Sequence, residues 1–159
     1  MDRAKAFVEG ISNEESEILS SLTFPPHRVT VEPSFYEHYA IRRIRVDRVE
    51  PGFVSCTFKV PRRLTDRNGV FASGAIANLV DKVGGAVVYV EGLPMNVSVD
   101  MSISYLSTAK FNDELEIIGR CLGKIGGYSG TSVLVRNKLT GELIAEGRHS
   151  LFGKHVSKM

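Results

Sequence analysis

One apolar stripe at helical spacing lies between stretches that alternate with period two. No other feature of the chain constrains its fold so strongly. Ile76, Leu79, Val80, Val83, Ala86, Val87 and Val90 recur at the intervals of one helix face. Ser73 reads as the N-cap, and Gly92 followed by Pro94 reads as the stop. The expected helix is about 20 residues, roughly 30 Å at 1.5 Å per residue. Gly84-Gly85 inside it costs about 1 kcal/mol per glycine. The face opposite the bulky stripe carries Ala77, Asp81, Gly84, Gly85 and Val88, small enough for another element to approach closely.

The flanking stretches read as strands. Ile41, Ile44, Val46 and Val49 precede a turn at Glu50-Pro51-Gly52, and Val54, Cys56, Phe58 and Val60 then alternate with polar residues. Residues 62–72 are a polar loop. After the helix, Val97, Val99, Met101, Ile103 and Tyr105 point one way, and Asn96, Ser98, Asp100, Ser102 and Ser104 the other. Three further strands are expected at about 114–125, 129–137 and 142–152, joined through Gly126-Gly127 and through residues 137–141. The class is α+β: an antiparallel sheet of five to six strands with one long helix on its apolar face. One helix cannot cover so wide a sheet, so a partner subunit is expected. Residues 1–38 form an N-terminal extension, 39–153 the main domain and 154–159 a tail. In the extension, Ser12-Asn13-Glu14-Glu15 is a capping box opening a short helix with the stripe Ile18, Leu19 and Leu22. Pro25-Pro26 stops it, and a polar loop punctuated by Pro33 runs to about His38.

Composition narrows the function mainly by exclusion. Hydrophobic residues at 43% and charged residues at 24% exclude a disordered chain. No apolar run is long enough for a membrane-spanning helix. A net charge of +2 gives no reason to expect nucleic acid. Cys56 and Cys121 lack metal or redox spacing and read as buried free thiols. His27, His38, His149 and His155 lack ligand spacing. Nucleotide-cradle and nucleophile-elbow motifs are missing. The N-terminus lacks the apolar core of a secretory signal, which fits an intracellular chain.

Three places could carry chemistry. Asp81 lies two turns inside the apolar helix. Its plain reading is a solvent-facing residue beside Lys82, and its functional reading is a carboxylate in a cleft serving as base or nucleophile. The helix start, Gly69-Val70-Phe71-Ala72-Ser73-Gly74, offers unsatisfied N–H groups to an oxyanion, or is a loop without chemistry. The cluster Gly123-Lys124-Ile125-Gly126-Gly127-Tyr128 is a hairpin turn whose Lys124 could meet a phosphate.

Taken together, these residues resemble a known family. Thr65-Asp66-Arg67-Asn68-Gly69-Val70-Phe71-Ala72-Ser73-Gly74, followed by Leu79-Val80-Asp81, is similar to the small hotdog-fold acyl-CoA thioesterases of the phenylacetyl-CoA type. Their pattern is Asn-x-x-Gly-x-x-His-Gly-Gly with an acidic residue two turns into the helix. The strand from Val97 to Lys110 and the hairpin from Thr140 to His149 resemble later parts of the same family. The likeness spans about residues 45–153.

The resemblance implies a hotdog fold, a curved antiparallel sheet wrapped around the central helix. It implies homodimers paired edge to edge, or homotetramers, with active sites at the dimer interface. The implied reaction is hydrolysis of an acyl-CoA or aroyl-CoA to free acid and CoA, with no cofactor beyond the CoA of the substrate. On this reading Asp81 activates water or attacks the carbonyl. The N–H of Ser73, next to Gly74, polarises the thioester oxygen, and Ser98 holds the water or the carboxylate. Arg62, Tyr105, Lys110, Lys124, Gly126, Gly127 and Tyr128 line the CoA path. Ala72 and Ser73 replace the family's His and first Gly. Asp66 replaces its Asn, with Asn68 as a substitute, and an acid there is expected to repel Asp81 and raise one pKa of the pair. These departures motivate the alternative of a non-catalytic acyl-CoA-binding module. A hydratase would need a His near the helix start, and none lies in residues 39–148. Ser157-Lys158-Met159 is one residue from a peroxisomal address, with Lys154 and His155 upstream, so the expected compartment is the peroxisome, otherwise the cytoplasm.

Overall fold

The computed structural model describes residues 2–153 apart from Ile11, Phe24, Pro25, Thr30 and Pro33, and apart from the side chains of Asp2 and Leu19. The Pro25 stop, the punctuation at Pro33, the Leu19 position of the first stripe and the whole 154–159 tail lie outside the described residues. Contacts divide the chain into Met1–His38 and Tyr39–Met159.

The first unit holds α1 (Asp2–Glu9), α2 (Asn13–Ser21) and the start of α3 (Phe35–Ile41). At α2 the Glu15 N–H donates to Ser12 Oγ at 3.1 Å, and the Ser12 N–H donates back to the Glu15 carboxylate at 2.9 Å, the reciprocal pair of a capping box. Ile18 and Leu22 are exposed. Two helices differ from the sequence expectation. α1 is one, and its Phe7 and Val8 stay exposed. α3 replaces the end of the expected loop and the first strand-like residues up to Ile41. Its signal was present as a second capping box, in which the Ser34 N–H donates to Glu37 Oε2 at 2.9 Å and the Glu37 N–H to Ser34 Oγ at 3.3 Å.

The second unit continues with β1 (Arg45–Glu50), β2 (Phe53–Lys59), a 3-10 turn (Arg62–Leu64), α4 (Ser73–Val88), β3 (Val97–Tyr105), β4 (Glu114–Ile125), β5 (Tyr128–Asn137) and β6 (Leu143–Phe152). The strands form one antiparallel sheet in the order β1-β2-β4-β5-β6-β3. The core lies between sheet and helix: Leu79, Val80 and Val83 of α4 pack with Phe58, Leu115, Ile117, Val133, Val135 and Ile144. Glycines on the sheet let the helix come close. A Cβ at Gly119 would lie 2.6 Å from Val87 Cγ2, and one at Gly147 would lie 2.4 Å from Val80 Cγ1. Valines on a helix hold one dominant rotamer and cannot swing aside.

α4 is shorter than expected at 16 residues. Tyr89 already has extended backbone angles, φ −62° and ψ 137°, after the β-branched pair Val87-Val88. Its N-cap is Ala72 rather than Ser73, and Ser73 is the first helical residue. No described helix is long and apolar enough to cross a membrane. Cys56 is buried and Cys121 only partly so; burial pushes the Cys56 thiol up to about 11, which keeps it protonated and unreactive.

The edge strand β3 corrects a second expectation. Its strict alternation is broken by a bulge between Ser98 and Asp100. Residues directly opposite in an antiparallel pair share a face. Ser98 pairs with buried Leu151, and Met101 with buried His149, so both turn toward α4. Val97 and Val99 are exposed instead. The extra residue at the bulge moves Ser98 from the outer face, where period two puts it, to the helix side.

Candidate active site

Asp81 sits in the middle of α4 with its side chain 51% exposed, so it is neither a core residue nor a fully solvated one. The bulge on β3 brings Ser98 to it, and Ser98 Oγ donates to Asp81 Oδ1 at 2.7 Å. This bond turns one carboxylate oxygen toward the strand.

Sequence reasoning set His149 aside. Its imidazole is buried, with Nε2 3.5 Å from Asp81 Oδ1. Neither ring nitrogen has a hydrogen-bond partner among the described residues. Gly84 makes the room: a Cβ there would lie 2.7 Å from His149 Nδ1. The close approach expected at the small helix face is therefore made partly by the sheet itself. A signal existed, since Ala145, Gly147, His149 and Leu151 alternate on the buried face of β6, but only the packing puts that face against Asp81.

Burial lowers the His149 pKa from the ordinary 6.5, and the nearby Asp81 opposes this. Burial favours the neutral imidazole. The unfolded chain binds a proton that the folded chain refuses, so this contribution to stability is greatest above pH 6.5 and falls as pH drops below it. The melting temperature is expected to fall between about pH 7.5 and pH 5.5 by more in the native chain than in His149→Gln. Equal falls would show that His149 is not the titrating group.

At the other candidate position, the start of α4, the Ala75 and Ile76 N–H groups both donate to the Ala72 carbonyl. The N–H groups of Ser73 and Gly74 precede these bonds, and Ala72 makes no side-chain cap. An uncapped helix start keeps donors for an oxyanion. Tyr105 Oη donates to the Ser73 carbonyl at 3.2 Å, tying the far end of β3 to this point.

Asp66 behaves otherwise than its expected repulsion with Asp81 implies. Its carboxylate accepts from the N–H groups of Asn68 at 2.8 Å and Val70 at 3.0 Å. These backbone bonds hold its pKa below the ordinary carboxylate value instead of raising it, and Asp81 is not among the causes. Asn68 Nδ2 reaches Asp66 Oδ2 at 3.4 Å, so the two side chains belong to one turn closed by Gly69 at φ +74°.

The candidate CoA residues form two groups in one chain. The Arg62 guanidinium lies 4.8 Å over the Phe111 ring, and Lys110 bridges to Val70. Both lie where β4 begins. Lys124, Gly126, Gly127 and Tyr128 form the hairpin where β4 ends, roughly 35 Å away along the strand. Gly126 has φ +55° there, and a Cβ at Gly127 would lie 2.4 Å from the Gly153 carbonyl. Beside this hairpin a shallow recess is lined by Val88, Tyr89, Leu93, Pro94, Asn96 and Lys124, among others. No group of three or more described His, Cys, Asp or Glu side chains could hold a metal ion.

Comparison with known proteins identifies the lineage of this arrangement. The family described as the thioesterase superfamily matches residues 68–132. Human acyl-coenzyme A thioesterase 13 is 38% identical over 115 residues, covering 72% of this chain and 80% of that protein. The crystal structure of zebrafish thioesterase superfamily member 2 superposes with a TM-score of 0.71 at 33% identity, over 78% of this chain and 89% of the other. A Streptococcus pneumoniae thioesterase protein crystallised with coenzyme A superposes with a TM-score of 0.68 at 26% identity, over 72% and 88%.

Proposed function

The chain belongs to the thioesterase superfamily as a hotdog-fold acyl-CoA thioester hydrolase, and from that premise we propose how its residues divide the reaction. Asp81 is the base that takes a proton from water attacking the thioester carbonyl carbon and returns it to the departing sulfur, or the nucleophile that displaces CoA to form an acyl-aspartyl anhydride, which water then hydrolyses to the acid. Ser98 holds the carboxylate. The N–H of Ser73 stabilises the oxyanion, and the carbon–sulfur bond then breaks to release the acid and the CoA thiol. The hydrolysis draws on no resident cofactor. The observation that carries this reading is the Ser98–Asp81 hydrogen bond at 2.7 Å on a half-exposed carboxylate.

Helix geometry adds a constraint. Ser73 and Asp81 are eight residues apart on one helix, about 12 Å along its axis. One thioester carbonyl must meet its oxyanion donor and its attacking water within about 3 Å each. In this proposal two chains share the site, one supplying the N–H and its partner the carboxylate. β3 is an open edge with Val97, Val99, Met101 and Tyr105 exposed. Pairing it with its own copy about a two-fold axis is antiparallel by symmetry. That brings the Ser98–Asp81 end of one chain beside the Tyr105–Ser73 end of the other. It also brings the Lys124–Tyr128 hairpin toward the partner's Arg62 and Lys110. The dimer is the smallest competent unit in this proposal, and a tetramer adds a further pairing. Residence in the peroxisome is a proposal resting on Ser157-Lys158-Met159 and on the substrate class.

The test is CoA release from a panel of acyl- and aroyl-CoA thioesters. Turnover with at least one class is the expected result. Measurable affinity by calorimetry with no turnover on any would replace the reading with a binding module.

A further inference from the structure

The reaction as proposed makes no use of His149, yet the fold makes room for it. Its side chain is buried, and neither ring nitrogen has a hydrogen-bond partner among the described residues. Buried polar atoms are nearly always paired, and an apolar side chain of similar size would fill the same space without leaving two of them unpaired. The room comes from Gly84, where a Cβ would lie 2.7 Å from His149 Nδ1 and 3.0 Å from Thr131 Oγ1. Glycine is a poor residue for the interior of a helix, so α4 gives up helix stability to admit the ring.

Three elements meet at the ring. α4 brings Asp81 and Gly84, β5 brings Thr131, and β3 brings Met101, directly opposite His149 in the sheet. Thr131 spends its hydroxyl proton on the His149 carbonyl at 3.1 Å, so it has none for the ring. Asp81 presents a carboxylate oxygen, Oδ1, 3.5 Å from Nε2. That is just beyond the range of an N–H···O hydrogen bond. A neutral imidazole carries one proton, on the nitrogen whose neighbour accepts it, and here that nitrogen is Nε2. Ser98 Oγ donates to the same Oδ1 at 2.7 Å. The edge strand β3 and its neighbour β6 therefore both aim a donor at one oxygen. Hydrogen bonds to catalytic groups are often long before substrate arrives and tighten in the complex. Substrate over the exposed half of Asp81 excludes water and strengthens the attraction to Nε2–H.

We propose that His149 is a positioning residue: its Nε2–H donates to Asp81 Oδ1 when substrate covers the carboxylate, and with Ser98 it fixes that oxygen so that Oδ2 faces the reacting carbon or its attacking water. The inference rests on the thioesterase reading above and deepens it. His149 touches neither substrate nor water in this role. It acts through Asp81, by stopping the pivoting that a single hydrogen bond from Ser98 leaves open.

The first measurement is the kinetics of His149→Leu and His149→Gln on the thioester that the native enzyme cleaves best. His149→Leu removes the donor, and kcat is expected to fall about 10- to 10²-fold with KM nearly unchanged. His149→Gln offers an amide N–H of similar reach and is expected to recover most of that loss. On an Asp81→Asn background, His149→Leu is expected to cost less than about twofold more, because no base is left to position. An unchanged kcat in His149→Leu, the same loss in both single variants, or the full loss again on the Asp81→Asn background overturns the proposal. The second measurement needs no turnover. In native enzyme labelled with ¹⁵N-histidine, at about pH 8, the His149 proton is expected on Nε2. Its resonance is expected to move downfield when the S-alkyl thioether matching the best substrate binds. A proton on Nδ1, or no downfield shift in the complex, overturns the proposal even if His149→Leu fails to fold. Failure of the thioesterase reading looks different: the native enzyme releases no CoA from any thioester, while the position of the ring proton in the free enzyme still decides the contact with Asp81.

Discussion

Asp81→Asn is expected to slow CoA release by about 10²- to 10⁴-fold, the range lost when a positioned acid–base group is removed. The substitution is nearly isosteric. The Asn amide oxygen can still accept the hydrogen bond from Ser98 Oγ, and half of the side chain is exposed, so folding is expected to survive. What disappears is the capacity to take a proton from water or to attack the carbonyl. Circular dichroism and melting temperature check the fold, and release of free thiol checks the rate. The loss should fall on kcat, with KM changed by a small factor, because the proposed mechanism has the carboxylate act on the reacting atoms rather than on the CoA arm. Equal rates in the two proteins would remove Asp81 from the mechanism.

The second large effect is expected from Ser73→Pro. Proline is well tolerated at the first position of a helix, which is where Ser73 lies. It restricts the preceding residue to extended angles, and Ala72 already has φ −65° and ψ 138°. The substitution therefore deletes one backbone N–H and disturbs little else. Loss of an oxyanion donor lowers kcat by about 10²- to 10³-fold, and the same fall is expected here. Ser73→Ala, which keeps the N–H, should stay close to native. The pair also tests the shared site. If one chain supplies the N–H and its partner the carboxylate, co-expressing Ser73→Pro with Asp81→Asn yields mixed dimers in which one site carries both lesions and the other none. About a quarter of native activity should return in the mixture. No recovery would mean that a single chain supplies both groups.

Much of the fold was legible in local pattern. The stripe from Ile76 to Val87 and the alternation in β2, β4, β5 and β6 are set by which side chains must leave water, and burial has a period that sequence displays. The strands expected at about 114–125, 129–137 and 142–152 lie within a residue of β4, β5 and β6. Where burial is weak, the pattern fails. β1 is exposed along its whole length, and α1 carries its Phe7 and Val8 in the open. α3 is fixed by two contacts of different range, the local Ser34–Glu37 cap and the distant Tyr39–Arg63 exchange, and the distant one has no period to read.

For the candidate site the division is sharper. Asp81 stands out in sequence because a carboxylate inside an apolar helix is conspicuous, and the uncapped donors at Ser73 follow from helix geometry. The partners of Asp81 do not. Ser98 faces Asp81 because one extra residue bulges the edge strand and reverses the sense of its alternation. His149 reaches Asp81 because Gly84 lets helix and sheet close on each other. Asp66, which sequence matching assigned to the site in repulsion with Asp81, spends its oxygens on the N–H groups of its own turn.

By itself the sequence determined the class of fold, the single helix with its carboxylate and the alternation of most strands, because these depend on spacing along the chain. The tertiary structure alone decided what stands beside that carboxylate. Those are contacts between residues remote in sequence, set by one bulge and by glycines that admit close packing.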